Sequence, residues 1–200
     1  MEWLAEQSPR EQLVFGDLIL GFEQFTLDSH HHRVVTLKTL PEVTFAGQLS
    51  TFLRMPFHYD LMLSFEVPSQ ADEMAKLQQK RKMAHSLAAT SGNKASDLES
   101  ETKLSSTEEL IRELLNTGQR IYAVQMSLVL RAPANDEGVK KLNREVREVL
   151  SRFRSLQGSE GLEESVGSWK IFKGNLPGAP VKLERAKKFK TNNLVDFIPI

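Results

Sequence analysis

Two stretches of strict alternation constrain this chain more than anything else in it. In residues 58–67, Tyr59, Leu61, Leu63, Phe65 and Val67 fall on one side, with His58, Asp60, Met62, Ser64 and Glu66 on the other. In residues 121–130, Tyr122, Val124, Met126, Leu128 and Leu130 alternate with Ile121, Ala123, Gln125, Ser127 and Val129. A repeat of two is the period of a β-strand. The first stretch has one apolar face and predicts a strand packed on one side. The second is apolar on both faces and predicts a central strand, ended by Pro133.

Elsewhere the period lengthens. Pro68 and Ser69 open a helix to about Leu87, with Ser69 at the N-cap and Asp72 and Glu73 favoured in its first turn. Residues 90–104 are small and polar and predict a connector. Ser106 and Glu109 then form a capping box, opening a helix that stops at Gly118. Asp136 caps the clearest helix, 136–155, where Val139, Leu142, Val146, Leu150 and Phe153 recur every three or four residues. A weak strand at 163–167 and a short helix at 168–173 follow.

The N-terminal part reads as a short helix at 3–7, then strands across 12–28 with a turn at Gly21 and with Phe25 and Leu27 facing one way. Ser29 and three histidines read as a polar turn, 33–38 as the returning strand of a hairpin, and 46–54 as a short helix. The expected class is α+β: a mixed or antiparallel sheet with helices packed on one face, a split β-α-β-like core and an N-terminal β-hairpin. The expected divisions are 1–56, hairpin and short helix within the same domain; 57–176, the α/β core; and 177–200, a linker.

Composition narrows the function classes. The chain has 200 residues, 26 basic and 26 acidic, so its net charge gives no bias toward nucleic acid or anionic lipid. It has no cysteine, which removes disulfides, thiol catalysis and cysteine-ligated zinc together. No apolar run approaches the ~20 residues that span a bilayer. The first residues carry Glu2, Glu6 and Glu11 and lack the basic start of a secretory signal.

Few constellations could carry chemistry. The phosphate-binding pattern G-x-x-x-x-G-K-[ST] is absent, as are G-x-G-x-x-G and the serine elbow G-x-S-x-G. The chain is therefore expected not to be an enzyme. Asp28, His30, His31 and His32 are the one local gathering of metal-ligand types, and His30 and His32 could converge on an extended segment. This leaves open a small metal-dependent hydrolase using Asp28, His30 and His32, against a solvated turn. His58 and His85 read as structural. The basic segment 182–190, with Lys182, Arg185, Lys187, Lys188 and Lys190, leaves open a nucleic-acid module, against a solvated linker or a surface for an acidic partner.

The closing stretch supplies the remaining signal. Gly174, Asn175, Pro177, Gly178 and Pro180 form a breaker cluster, and after the basic segment the chain closes on Leu194, Val195, Phe197, Ile198, Pro199 and Ile200. An apolar close predicts a junction with a further domain. Within this stretch Leu176, Pro177, Gly178, Arg185, Thr191, Asn193, Leu194, Phe197 and Pro199 match an "LPG…R…T…NL…F.P" pattern. On that pattern, and on the order of elements from residue 33 onward, the chain resembles the N-terminal domain of the type IV secretion and conjugative transfer ATPases, the VirB, TraC and TrbE lineage. The resemblance implies a non-catalytic interaction and assembly domain that docks the motor to the inner-membrane channel complex. It implies no cofactor in this chain, with ATP and Mg in a C-terminal domain that makes the full-length protein an ATPase. The implied partners are inner-membrane secretion-channel proteins and other copies of the ATPase, in a hexamer when full length, with no direct small-molecule substrate and no nucleic acid. The implied location is the cytoplasm, peripheral to the inner membrane.

Overall fold

The strand Ile121–Pro133 is the axis of the sheet, and its pairings explain most of the fold. The computed structural model describes residues 17–41, 43–90, 98–176, 178 and 183–198. Their elements are β1 (Leu18–Leu20), β2 (Phe25–Leu27), β3 (His30–Thr39), α1 (Ser50–Leu53), β4 (Tyr59–Glu66), α2 (Gln70–Thr90), α3 (Leu98–Thr117), β5 (Ile121–Pro133), α4 (Asp136–Ser155), β6 (Glu160–Glu164), α5 (Ser168–Asn175), β7 (Lys187–Lys190) and α6 (Thr191–Asp196). One edge of β5 pairs with β4; the other pairs with β3 along residues 127–133 and with β7 along 121–124. On its far edge β3 meets β2 near its start and β6 near its end, and β1 completes the hairpin with β2. All these pairings are antiparallel, and the seven strands form one open sheet. The α+β class, the antiparallel sheet and the N-terminal hairpin are thus as expected.

The two faces of β5 bury different layers, as a period of two requires. Val124, Met126, Leu128 and Leu130 enter the main core with Leu142, Val146, Val149 and Phe153 of α4 and Phe52 of α1. On the opposite face Val129 joins Val34, Phe25 and Ile171 of α5. α4 and α1 therefore lie over one face, and the short α5 adds cover on the other. It does so because Ile171, with Trp169 and Phe172 beside it, gives that helix an apolar side to place on Phe25.

Strands β4 and β5 are neighbours, yet two long helices separate them in sequence. α2 and α3 have 21 and 20 residues, so each runs about 30 Å. The pair goes out and comes back, returning the chain beside the strand it left. The helical hairpin is held to the sheet mainly at its base. Gln70 bonds both backbone groups of Ile121, donating to its carbonyl and accepting from its N–H, each at 2.9 Å.

Several local readings need correction. The three histidines belong to β3, and the turn before them is made by Asp28 and Ser29 alone, at φ of 49° and 60°. Two successive left-handed residues form the two-residue turn whose twist suits a hairpin. Ser106 is no N-cap: α3 begins at Leu98, and the Ser106 hydroxyl donates to the Thr102 carbonyl at 2.7 Å in mid-helix. Packing of α3 on α2 extends the helix through residues whose composition predicts a connector. The cap of α4 is Asn135, whose Oδ1 accepts from the Gly138 N–H at 2.8 Å. The strand expected at 163–167 is β6, earlier by three residues, because its register is set by pairing with β3. Much of the stretch read as a linker is part of the body: β7 joins the sheet, and Phe189 and Phe197 are core. The helix expected at 3–7 and the strand residues 12–16 lie outside the described residues.

Candidate functional site

The closing stretch is built residue by residue onto the rest of the domain. In β7, Phe189 lies opposite Tyr122 and packs into the main core. The alternation that turns Phe189 inward turns Lys188 and Lys190 to the other face. There Lys188 meets Glu73 of α2 at 2.9 Å and Lys190 meets Glu113 of α3 at 2.7 Å. Glu73 also pairs with Lys76. Burial pushes the Glu73 carboxyl up, but hydrogen bonds and charge from Lys76 and Lys188 outweigh it and hold the group below its usual range. Lys190, chiefly through its hydrogen bonds, does the same for Glu113.

The next residues tie down the opposite side. The Thr191 hydroxyl accepts from the Arg120 N–H at 2.9 Å. Asn193 donates to the Thr44 hydroxyl at 2.8 Å, and that hydroxyl donates to Asp196 at 2.6 Å. Leu194 packs against the main core, and Phe197 is fully buried, edge-on to Phe189 with ring centres 4.8 Å apart.

Upstream, Arg185 sits on the opposite face of the sheet. Its Nε and Nη2 reach the two oxygens of Glu164 at 2.7 and 2.8 Å, and its backbone N–H donates to Gln125 at 2.9 Å. Glu164 is 1% exposed and also accepts from the Thr36 hydroxyl at 2.5 Å. Beside them Asn175 donates to the Ser127 hydroxyl at 2.9 Å. The polar residues of that central face are thus matched by the end of α5 and the segment after it.

The motif residues do not converge on one spot. Leu176 closes α5, its N–H donating to the Lys173 carbonyl, and Gly178 takes a left-handed φ of 71°. Arg185 lies on one face; Thr191, Asn193, Leu194 and Phe197 lie at the other side and edge. Pro177 and Pro199 lie outside the described residues. The partners of the motif and of the basic segment, Glu164, Gln125, Thr36, Glu73, Glu113 and Thr44, follow from no local pattern in the chain. Only Gln125 leaves a trace, as a polar residue in a strand apolar on both faces.

The histidines do not assemble a metal site. His32 stacks flat on Phe25, ring centres 4.9 Å apart, and its Nδ1 is bonded to the His30 carbonyl. Burial, the largest influence, holds its imidazole below the usual pKa. His30 Nδ1 is bonded to the Asp28 carbonyl and His31 Nδ1 to the Thr26 hydroxyl. Among the described residues no group of three or more His, Asp or Glu could hold a metal ion. Of the basic residues in 182–190, Arg185, Lys188 and Lys190 have their charge met inside the fold.

What these parts define is an open antiparallel α+β domain that carries a helical hairpin between the edge strand β4 and the central strand β5 it pairs with. A family model described as TraC protein matches residues 3–157, and the chain belongs to that family, one of type IV secretion and conjugative transfer. The match ends before the closing motif. A comparison with curated proteins finds no match. Among the described residues no helix is long and apolar enough to cross a membrane.

Proposed function

We propose that this chain is an interaction and assembly domain of a type IV secretion or conjugation ATPase, non-catalytic itself, that docks the motor to the inner-membrane channel complex. ATP and Mg belong, in this reading, to a separate nucleotide-binding domain of the full-length protein. The domain works at the cytoplasmic side of the inner membrane, among other copies of the ATPase.

One observation carries the docking role. Thr44 bonds Asn193 and Asp196, and the chain neighbours of this joint, Val43, Phe45, Val195 and Ile198, are all exposed. Apolar side chains gathered at one place on a surface mark a site for another protein. This one lies where the closing stretch meets the domain, so a partner seated there touches both.

The test is recovery of identified channel proteins from donor cells. Tagged chain, expressed beside its transfer system, is expected to bring down an inner-membrane channel component named by mass spectrometry. Phe45→Ser with Val195→Ser is expected to lose it while the fold survives by circular dichroism. Failure to recover any channel component, or recovery indifferent to both substitutions, counts against the docking role.

A further inference from the structure

A groove of about 600 Å³ opens between α2 and β7, at the seam where the helical hairpin meets the closing stretch. Its floor is apolar, with Leu77 of α2, Leu110 of α3, and Ile121 of the sheet. Its walls are basic. Lys76 and Lys80 stand one turn apart on α2, and Lys188 and Lys190 stand two residues apart on β7. Four lysines face Glu73 and, behind Lys190, Glu113, so the seam keeps an excess of positive charge. Lys80 has no ion-pair partner among the described residues, and Met83, at the same wall, is 58% exposed.

We infer that this groove takes an acidic amphipathic helix of a partner protein, its apolar stripe on the floor and its carboxylates along the two lysine walls. From Glu73 to Met83 the α2 wall is about 15 Å long, room for more than two turns of a docked helix. A helix with one apolar stripe flanked by acids matches that pattern, which is the usual way a helix is read by a groove. Charge distribution decides against the nearest rivals. A fatty acyl chain carries its charge at one end, whereas these lysines line both walls along their length. A flat anionic membrane cannot reach Ile121, which is buried at the bottom. Lys76 and Lys188 are more than half exposed, so each can hold Glu73 on one side and meet a partner's carboxylate on the other.

The inference depends on the docking role only for the partner's identity. Binding to a synthetic probe is read on the purified chain, so its failure and a failure to recover channel proteins from cells are separate results. The probe is a fluorescein-labelled peptide of ~14 residues, long enough for about 20 Å of helix. It carries Leu at i, i+3, i+4 and i+7 and Glu on both flanks, and a twin carries Lys in place of Glu. The expected result is saturable binding of the Glu peptide alone, weakened by added salt. Lys80→Glu and Met83→Asp, both on exposed side chains, are each expected to weaken it about tenfold. Amide shifts of the wild-type chain are expected to move along α2 and β7. Equal binding of both peptides, or of the Glu peptide to both variants, overturns the inference. So do shifts centred elsewhere, or binding to phosphatidylglycerol vesicles with none to the peptide.

Discussion

Arg185 and Glu164 show how single residues hold the closing stretch. Glu164 is 1% exposed and keeps Thr36 if Arg185 is lost, but a lone buried carboxylate remains costly. Breaking a fully buried pair costs about 3–5 kcal/mol. The Arg185 side chain is 45% exposed, so water reaches the vacated side and the cost is smaller. Arg185→Ala is expected to lower stability in urea by about 2 kcal/mol. Adding Glu164→Gln, which removes the charge and keeps an acceptor for Thr36, is expected to restore part of that loss. A null effect of Arg185→Ala would show the contact to be passive. Gly138 sets helix propensity against steric fit. In a helix Ala is better than Gly by about 1 kcal/mol, which alone favours Gly138→Ala. A Cβ there would stand 2.0 Å from the Pro133 carbonyl oxygen and 3.0 Å from its carbon, and backbone cannot step aside as a side chain does. The clash outweighs the gain in propensity: Gly138→Ala is expected to destabilise by about 3 kcal/mol, read as a lower midpoint in thermal unfolding. Nothing in the spacing of the α4 pattern reveals this, since periodicity records which face a residue takes and not how closely another strand approaches it.

The elements differ in how far the sequence reveals them, and the reason is where their stabilisation comes from. β4, β5 and α4 are legible because each presents a face to one core, and burial of a face writes a period into the sequence. The start of α3 is not, because residues 98–105 are mostly polar and are helical through the packing of α3 on α2. The anchors of β7 are not either: Lys188 and Lys190 find Glu73 and Glu113 across long separations, and no local pattern joins them. These two ion pairs predict the behaviour of the helical hairpin in acid. Both carboxyls titrate below the ordinary glutamate value of 4.5 in the fold. A depressed acid contributes stability that is complete above its unfolded pKa and is lost as pH falls through its folded one. The hairpin is therefore expected to stay fastened above about pH 5 and to loosen below pH 4.5. Hydrogen exchange is the measurement. The Ile121 N–H, bonded to Gln70, and the amides of α2 and α3 are expected to lose protection in acid before those of α4, which packs directly on the sheet. Equal loss across α3 and α4 would mean that the hairpin is not a separate unit.

For the whole molecule the question is whether the closing stretch is part of the domain or a connection leaving it. Phe189 and Phe197 are each about 1% exposed or less, touch one another, and fill the main core beside Val124 and Leu194. Replacing a core Phe by Ala costs about 3–5 kcal/mol, and a domain's entire stability is about 5–15 kcal/mol. The two losses will not add, because the rings share a contact. Even one of them is a large part of the total. Removing 177–200 would also take away the pairing of β7 with residues 121–124 and the partners of Glu73, Glu113 and Glu164. Glu113 and Glu164 would then lose their cations, and Glu73 would keep only Lys76, as the core opens. A chain ending at Leu176 is thus expected to unfold without a sharp thermal transition and to bind a hydrophobic dye, while Phe197→Ala keeps a cooperative transition at a lower midpoint. A detachable connection would give the opposite pair of results, with the shortened chain melting as the full one does and Phe197→Ala without effect. The ordering of these two variants decides between them, because only a stretch built into the core makes its removal worse than the loss of its largest side chain.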